Sequence, residues 1–188
     1  MLKKFLLSIA LVASLSVVVA PKAHAAYSDG AAIGVALLGG FPAHASLGIT
    51  GQFNGLPLMF GLSGRASFGN NYNYFGVGLT ADWWGLKIPL AQGNVGVHFY
   101  LGPGGALDAD FGSNYWSINL ALRMPIGFSF VFAKSWELFV ELAPSINLVH
   151  AGSYGLQVLG LYIGDGRSGW GFDGFFGFGG ALGFRYWF

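Results

Sequence analysis

The sequence predicts an all-β protein: an eight-stranded antiparallel up-and-down transmembrane β-barrel, preceded by a cleavable signal peptide. Three observations lead to this fold class. The N-terminus has the pattern of an export signal, and the rest of the chain is too apolar and too poor in charge for a water-soluble domain. In addition, the large apolar residues recur with a period of two, which is the period of a β-strand.

The N-terminal segment predicts export across a membrane. Two lysines among the first four residues precede an apolar run over 5–20, and Ala23 and Ala25 are the small residues that a signal peptidase reads. The apolar run is shorter than the ~20 residues that a spanning helix needs. We therefore expect residues 1–25 to be a signal peptide and residues 26–188 to be the mature chain.

The composition excludes several classes of protein. Only 9% of the residues are charged whereas 17% are aromatic, so much apolar surface must face something other than water. The chain has no cysteine, which excludes disulfides and thiolate metal sites. Removal of Lys3, Lys4 and Lys22 with the signal peptide leaves six of the nine basic residues against eight acidic ones. This balance argues against a nucleic-acid partner.

Glycine and proline argue against membrane-spanning helices. No charged residue lies between Asp29 and Arg65, so hydropathy alone would propose a helix there, but the stretch contains many glycines together with Pro42 and Pro57. In a bilayer, only helices and closed sheets satisfy every backbone N–H and C=O group. A membrane chain that alternates with period two therefore has to close into a barrel.

Eight segments show the alternation, and each places its large apolar residues in one phase that we expect to face lipid. The pattern is longest in the sixth segment, where every second residue from Ile118 to Phe132 is apolar. The predicted strands cover 31–40, 46–54, 58–68, 74–84, 94–102, 117–132, 136–148 and 176–188.

The charged residues within these segments fall in the phase opposite to the apolar set, although they were not used to assign the phases. This agreement predicts a polar network inside the barrel, because charges removed from water need partners. The predicted members are Arg65, Asp82, His98, Arg123, Glu137, Glu141 and Arg185. If Glu141 and Arg123 lie on neighbouring antiparallel strands, each is expected to compensate the charge of the other. Trp84 and Trp187 share this inward phase near one mouth of the barrel.

The connections predict which end of the barrel faces outward. An even-numbered barrel with both termini in the periplasm has short periplasmic turns and longer outer loops. The predicted inner turns are 54–55, 85–93 and 133–135, and the predicted outer loops are 41–45, 69–73, 103–116 and 149–175. Aromatic residues near the strand ends, Tyr74 among them, are expected to form girdles at the membrane interfaces.

The last residues, Phe184-Arg185-Tyr186-Trp187-Phe188, place aromatic side chains at alternate positions before a terminal phenylalanine. This end resembles the sorting signal of outer-membrane barrels, and the mature chain is similar to the eight-stranded group that includes the OmpA transmembrane domain, OmpX and OmpW. The resemblance implies a location in the bacterial outer membrane, in contact with its lipid, with periplasmic N- and C-termini. It also implies that the barrel assembly machinery recognises Phe184, Tyr186 and Phe188.

Members of this group act as adhesins, structural anchors, narrow pores or lipid-modifying enzymes, so the resemblance leaves the activity open. Our leading hypothesis is a non-enzymatic barrel that contacts an extracellular ligand or host protein through loops 103–116 and 149–175, whose composition is typical of adaptable recognition surfaces. The alternative is a narrow channel for small solutes or protons through the polar interior, where many inward glycines leave room for water. An eight-stranded lumen is too narrow for bulk porin function.

Catalytic and metal sites are less well supported. His150 and Ser153 are a candidate base and nucleophile for a lipid A hydrolase, but the lipid A deacylases of the resembled group use a closer His-x-Ser pair. His44 and His150 provide two metal ligands without a third. Asp108 and Asp110 in the third outer loop are candidate calcium ligands, although solvated loop carboxylates are the commoner case. We therefore expect no catalytic residue, cofactor or metal.

Overall fold

The computed structural model describes residues 30–41, 44–69, 72–164, 167–170 and 175–188, and the predicted signal peptide lies outside these residues. No helix long and apolar enough to cross a membrane occurs in these described ranges. The strands are β1 (Ala32–Phe41), β2 (His44–Gln52), β3 (Leu58–Gly69), β4 (Tyr72–Trp83), β5 (Leu86–Ala91), β6 (Val95–Leu101), β7 (Gly104–Gly112), β8 (Tyr115–Arg123), β9 (Ile126–Phe132), β10 (Trp136–Gly152), β11 (Gly155–Val158), β12 (Leu161–Gly164), β13 (Arg167–Trp170) and β14 (Phe176–Trp187).

These strands make eight barrel walls, because three walls are each built from two consecutive strands. β4 and β5 form the fourth wall, β6 and β7 the fifth, and β8 and β9 the sixth, with the same register in the β6–β9 and β7–β8 ladders. The ladder runs through β1, β2, β3, β4, β7, β8, β10 and β14, returns to β1, and is antiparallel throughout. The predicted eight-stranded antiparallel barrel is therefore confirmed.

The shear of the barrel is the offset along one strand after a full circuit of cross-strand partners. Starting at Trp136 on β10, the partners lead through the other seven walls and return to β10 at Ile146, ten residues further along. For eight strands with this shear, the usual strand spacing and rise imply a tilt of roughly 40° and a barrel radius of roughly 8 Å. The lumen therefore has room for side chains but not for a wide pore.

Proline explains why two neighbouring walls are interrupted at the same height. Pro103 separates β6 from β7, and Pro125 separates β8 from β9. Proline has no N–H to donate to a ladder, but both carbonyls still accept hydrogen bonds, from Trp83 N at 2.9 Å and from Gly102 N at 3.3 Å. The predicted sixth segment, 117–132, consequently consists of two strands, β8 and β9, which pair with β7 and β6 in the same register.

Three predicted connections are wrong. The predicted outer loop over 103–116 contains β7, and the predicted turn over 85–93 contains β5. The predicted loop over 149–175 contains the end of β10 and the three short strands β11, β12 and β13. Glycine and aspartate in these stretches suggest loop chemistry, yet they also fit strands, because glycine saves space and inward aspartates pair with arginine.

The distribution of side chains is inverted relative to a water-soluble protein. Large apolar side chains face outward, as in Val35 at 61% exposure, whereas Glu137 and Arg185 are buried in the interior at 0% and 2% exposure. An apolar outer wall with polar residues inside is the pattern of a transmembrane barrel. The hydrophobic effect thus places this wall in lipid.

We expect arginine on the outer wall to destabilise the protein. Leu122 and Val140 both face outward, and Leu122→Arg or Val140→Arg should each lower the free energy of unfolding by about 2–4 kcal/mol, the cost of arginine near the bilayer midplane. Asn114→Arg, in the exposed turn between β7 and β8, is the control and should change it by less than about 0.5 kcal/mol. Urea titration in lipid vesicles measures all three, and tolerance of arginine at both wall positions would contradict the assigned faces.

Candidate functional site

The first charged cluster in the lumen lies toward the end with the β7–β8 turn and centres on Arg65 of β3. Its guanidinium pairs with Asp110 and with Asp108, whose Oδ1 lies 3.1 Å from Nη1. The Tyr74 hydroxyl accepts a hydrogen bond from Arg65 Nε at 2.6 Å and donates one to Asp110 at 2.7 Å. Gly76 lies between Arg65 and Asp110 in the ladder, and a Cβ there would be 2.2 Å from Asp110 Oδ1. The glycine therefore provides the space in which this ion pair forms.

The middle cluster places one arginine between two carboxylates. Arg123 Nε lies 3.2 Å from Asp82 Oδ1, and Nη2 lies 2.5 Å from Glu141 Oε1. The Tyr100 hydroxyl donates to the other oxygen of Glu141 at 3.0 Å. Asp82 and Glu141 are both buried, so the cluster holds one more carboxylate than guanidinium away from bulk water.

The third cluster, at the end of the lumen where β1 begins, is a buried ion pair between directly opposite residues. Glu137 of β10 is the cross-strand partner of Arg185 of β14, and the Oε1 and Nη1 atoms are 3.2 Å apart. The second Glu137 oxygen accepts a hydrogen bond from Trp187 Nε1 at 2.8 Å, and Arg185 Nε donates to Thr50 Oγ1 at 3.3 Å. These bonds satisfy most of the polar atoms that burial removes from water.

Aromatic rings pack around the third cluster at the end of the lumen where β1 begins. The Arg185 guanidinium lies 3.5 Å from the ring centroid of Phe139 and 4.8 Å from that of Trp84. Trp84 stacks on Tyr100 at 4.2 Å, and Lys87 Nζ lies 4.6 Å from the Trp84 centroid. Because Tyr100 also bonds Glu141, the aromatic stack links the middle cluster to the third one.

Interior glycines stand where large side chains cross the lumen. A Cβ on Gly127 would lie 2.4 Å from the ring of Tyr100, and a Cβ on Gly183 would lie 2.4 Å from the ring of Phe139. The alternation in the sequence predicts that such inward glycines leave room for water. In the structure, the space at these two positions is occupied by aromatic side chains.

A small cavity lies among the clusters. It has a volume of about 40 Å³ and is lined by Asp82, Arg123, Glu141 and Arg185, together with small and apolar residues. That volume holds about one to three water molecules. Within the part of the chain that the structure describes, the side chains of the three clusters and of the aromatic stack thus occupy the lumen around this cavity.

The structure places all seven residues of the predicted interior network inside the barrel, six of them in the three clusters. The seventh, His98 of β6, is buried and lies directly opposite the buried Ser129 of β9. Sequence reasoning missed Asp108 and Asp110, which were predicted to lie in a solvated loop, and Tyr74, which was predicted to lie in a girdle. Alternation of Leu107, Ala109 and Phe111 with the two aspartates was the available signal for a strand.

The candidate catalytic and metal residues are not assembled into a site. Ser153 Oγ accepts a hydrogen bond from the Trp116 N–H at 3.0 Å, and His150 lies in β10 opposite Asn119 and Gln157. No hydrogen bond joins His150 to Ser153, and the side chain of His44 lies outside the described residues. Within the described ranges, no group of three or more acidic or histidine side chains is placed to hold a metal ion.

The three predicted assembly residues lie at the end of the barrel wall. Phe184 and Tyr186 pack against Trp136, with ring centroids 4.9 and 4.7 Å away, and Phe188 is exposed. Their recognition by the barrel assembly machinery stays a prediction.

The middle cluster leads to an asymmetric mutational prediction. Arg123→Met leaves two buried carboxylates without their cation and should lower the free energy of unfolding by about 3–5 kcal/mol. Glu141→Leu should cost less, because Arg123 keeps Asp82 as its partner. The double variant should lose less than the sum of the single losses, because the two residues contact each other. Urea titration in vesicles provides the four free energies of the cycle.

A matched control uses a residue in another cluster. Arg65→Met and Glu141→Leu share no partner, so their effects should add within about 0.5 kcal/mol. Strict additivity of Arg123→Met with Glu141→Leu would contradict the ion pair.

Comparison with known proteins adds a likeness of fold. No protein-family model matches the sequence, and no curated protein sequence matches it. Among solved structures, the chain is similar to the N-terminal β-barrel domain of Pseudomonas aeruginosa OprF, with 10% identity over 86% of this chain and 98% of that chain and a TM-score of 0.42. It is also similar to Neisserial surface protein A, with 14% identity over 84% and 94% of the two chains and a TM-score of 0.44. A major outer membrane protein from Thermus thermophilus has 13% identity over 85% and 98% of the two chains and a TM-score of 0.45.

Proposed function

We propose that this protein is an integral, non-enzymatic outer-membrane β-barrel whose filled interior is structural and whose outer end contacts an extracellular ligand or host protein. The observation that carries the proposal is the set of three ion-paired clusters and the aromatic stack that occupy the lumen around a cavity of about 40 Å³. A barrel closed in this way offers its outer surface and its ends for interaction.

The longest connection supports an orientation with both termini in the periplasm. One end of the barrel has the connections over 53–57, 92–94 and 133–135, whereas the other end has the connections over 42–43, 70–71 and 113–114 and the long connection between β10 and β14 that carries β11, β12 and β13. Outer-membrane barrels place their longer connections on the extracellular side. We accordingly assign the end with β11 to β13 to the cell exterior. The exposed Phe188 then lies on the periplasmic side, where we assign it a role in recognition by the barrel assembly machinery.

The outer end has the composition of a recognition surface. Trp116 and Tyr154 are exposed there, and the ring of Tyr115 lies 6.0 Å from that of Tyr154. Large aromatic side chains provide contact area at a small cost in conformational entropy. Because β7 occupies most of 103–116, the proposed binding surface reduces to the turns at 113–114 and 153–154 and to the connection over 165–175.

A narrow conducting path is the second candidate function. It is favoured by the interior cavity, whose charged lining includes Asp82, Arg123 and Glu141. A path for water or protons would have to run through this cavity and past the Trp84 and Tyr100 stack.

Orientation can be tested on intact cells, because the chain has no cysteine of its own. Asn114→Cys at the outer end should react with a membrane-impermeant maleimide on intact cells. Gln92→Cys at the inner end should react only after the outer membrane is permeabilised, because the reagent does not cross it. The reverse pattern would contradict the orientation, and equal labelling of both positions on intact cells would contradict insertion in the outer membrane.

Conductance in planar bilayers distinguishes the two candidate functions. The purified wild-type barrel should produce no stable unitary current, because ion-paired side chains fill the lumen. Val140→Ala on the outer wall is the control and should behave in the same way. A unitary current through the wild-type protein that changes in Arg123→Met, but not in Val140→Ala, would overturn the closed barrel and support the conducting path.

A further inference from the structure

The wall of the barrel continues beyond its rim on one side. β14 pairs with β10 as far as Ile146, and from Val149 onward β11 takes the place of β14 at the same edge of β10. β12 pairs with β11, and β13 pairs with β12. The end of β10 with β11 and β12, residues 149–164, is called the wall extension below.

A β-bulge decides which side chains of the wall extension face outward. The β8–β10 register shifts by one residue between Asn147 and Val149. Before the bulge, Asn147 lies opposite the buried Ala121 and faces the lumen, where its Oδ1 accepts a hydrogen bond from Asn119 Nδ2 at 2.9 Å. After the bulge, Val149 lies opposite the outward Leu120, and Ala151 lies opposite the outward Ile118. A bulge of one residue exchanges the two faces of a strand.

The outward face of the wall extension is apolar and continuous with the barrel wall. Two rows of cross-strand partners run from β8 across β10 and β11 to β12. They consist of Ile118, Ala151, Leu156 and Ile163, and of Leu120, Val149, Val158 and Leu161. Ile118, Leu120, Leu156, Val158 and Ile163 are all exposed, Ile163 at 54%.

The inward face of the wall extension is polar. Asn119, His150, Gln157 and Tyr162 are successive cross-strand partners on this face. Gln157 is only 7% exposed, whereas its neighbours Leu156 and Val158 are exposed. The wall extension thus repeats the polar-in, apolar-out alternation of the membrane-spanning wall.

Charge follows the same pattern. No charged residue occurs between Glu141 and Asp165, so the whole wall extension is uncharged. A sheet that stood in water would expose this continuous apolar face at a cost in free energy, and exposed apolar patches of this kind usually mark a contact surface. The face adjoins the lipid-facing wall without a break, so the contact that extends most directly onto it is the one with lipid.

We propose that the apolar face of the wall extension contacts the hydrocarbon of the outer membrane leaflet, so that residues 149–164 form a membrane-contacting flap rather than a solvated loop. The proposal rests on the membrane location proposed above. It assigns the lipid contact to Leu156, Val158 and Ile163, and it leaves the polar face with Gln157 turned toward the mouth of the barrel.

Single-cysteine variants that carry a nitroxide label test the proposal in phosphatidylcholine vesicles. Leu156→Cys and Ile163→Cys probe the apolar face, Val140→Cys is the control in the spanning wall, and Asn114→Cys is the control in water. Power saturation measures how often each label collides with molecular oxygen, which concentrates in hydrocarbon, and with a polar nickel chelate. Folding of each labelled variant is checked by its mobility on an unheated gel. If the label at Leu156 or Ile163 prevents folding, Val158→Cys is used in place of that variant.

We expect the ratio of oxygen to nickel collisions at Leu156 and Ile163 to be several-fold higher than at Asn114 and close to that at Val140. A ratio like that of Asn114 would overturn the proposal, since the face would then lie in water. Labels shielded from both reagents would also overturn it, and dipolar broadening would then identify a second copy of the chain as the occupant. If the label at Val140 also gives the ratio of Asn114, the proposed membrane location is wrong as well. If only the labels at Leu156 and Ile163 give that ratio, the membrane location stands and only the lipid contact of the wall extension is wrong.

Discussion

Closure of the sheet in a bilayer is the constraint on which the rest of this structure depends. Hydrocarbon offers no partner to a backbone N–H or C=O group, so the strands must pair all the way around. The eight walls close with a shift of ten residues along β10, and this geometry sets a lumen only roughly 8 Å in radius to the backbone. Every inward side chain then competes for a small volume, which is why Gly76, Gly127 and Gly183 stand beside the bulkiest of them.

The apolar exterior forces the charges into this lumen, where each needs a partner. Each of the three arginines joins two or more walls, since Arg65 links β3 to β7, Arg123 links β8 to β4 and β10, and Arg185 links β14 to β10. Buried ion pairs contribute little net stability relative to apolar residues of similar size, but loss of one partner is strongly destabilising. The network therefore favours one register of the barrel over others, because a shift by one residue would turn these charges toward lipid.

The bulge at the end of β10 shows how one residue changes the surface that the protein presents. Without the register shift between Asn147 and Val149, Val149 and Ala151 would face the lumen, and His150 would face outward. With it, the polar row that contains His150 and Gln157 faces inward, and the apolar face of the wall continues onto β11 and β12. The composition of this segment thus predicts an outer loop, whereas its strand pairing makes it a continuation of the barrel wall.

The sequence by itself determined the fold class, the eight walls and the two faces of most strands. These follow from local alternation, because every second residue of a strand in a membrane barrel faces lipid and the residues between them face the lumen. It also determined that Arg123 and Glu141 both point inward on neighbouring walls, which predicted that they would compensate each other. Only the tertiary structure decided how they meet and that Asp82 joins them, because Arg123 lies opposite Ser145 in the ladder and reaches Glu141 diagonally along the lumen. The structure likewise decided that Asp108 and Asp110 belong to a wall and that a bulge exchanges the faces of β10. Such features depend on strand tilt and on contacts between residues far apart in the chain, which a local pattern does not record.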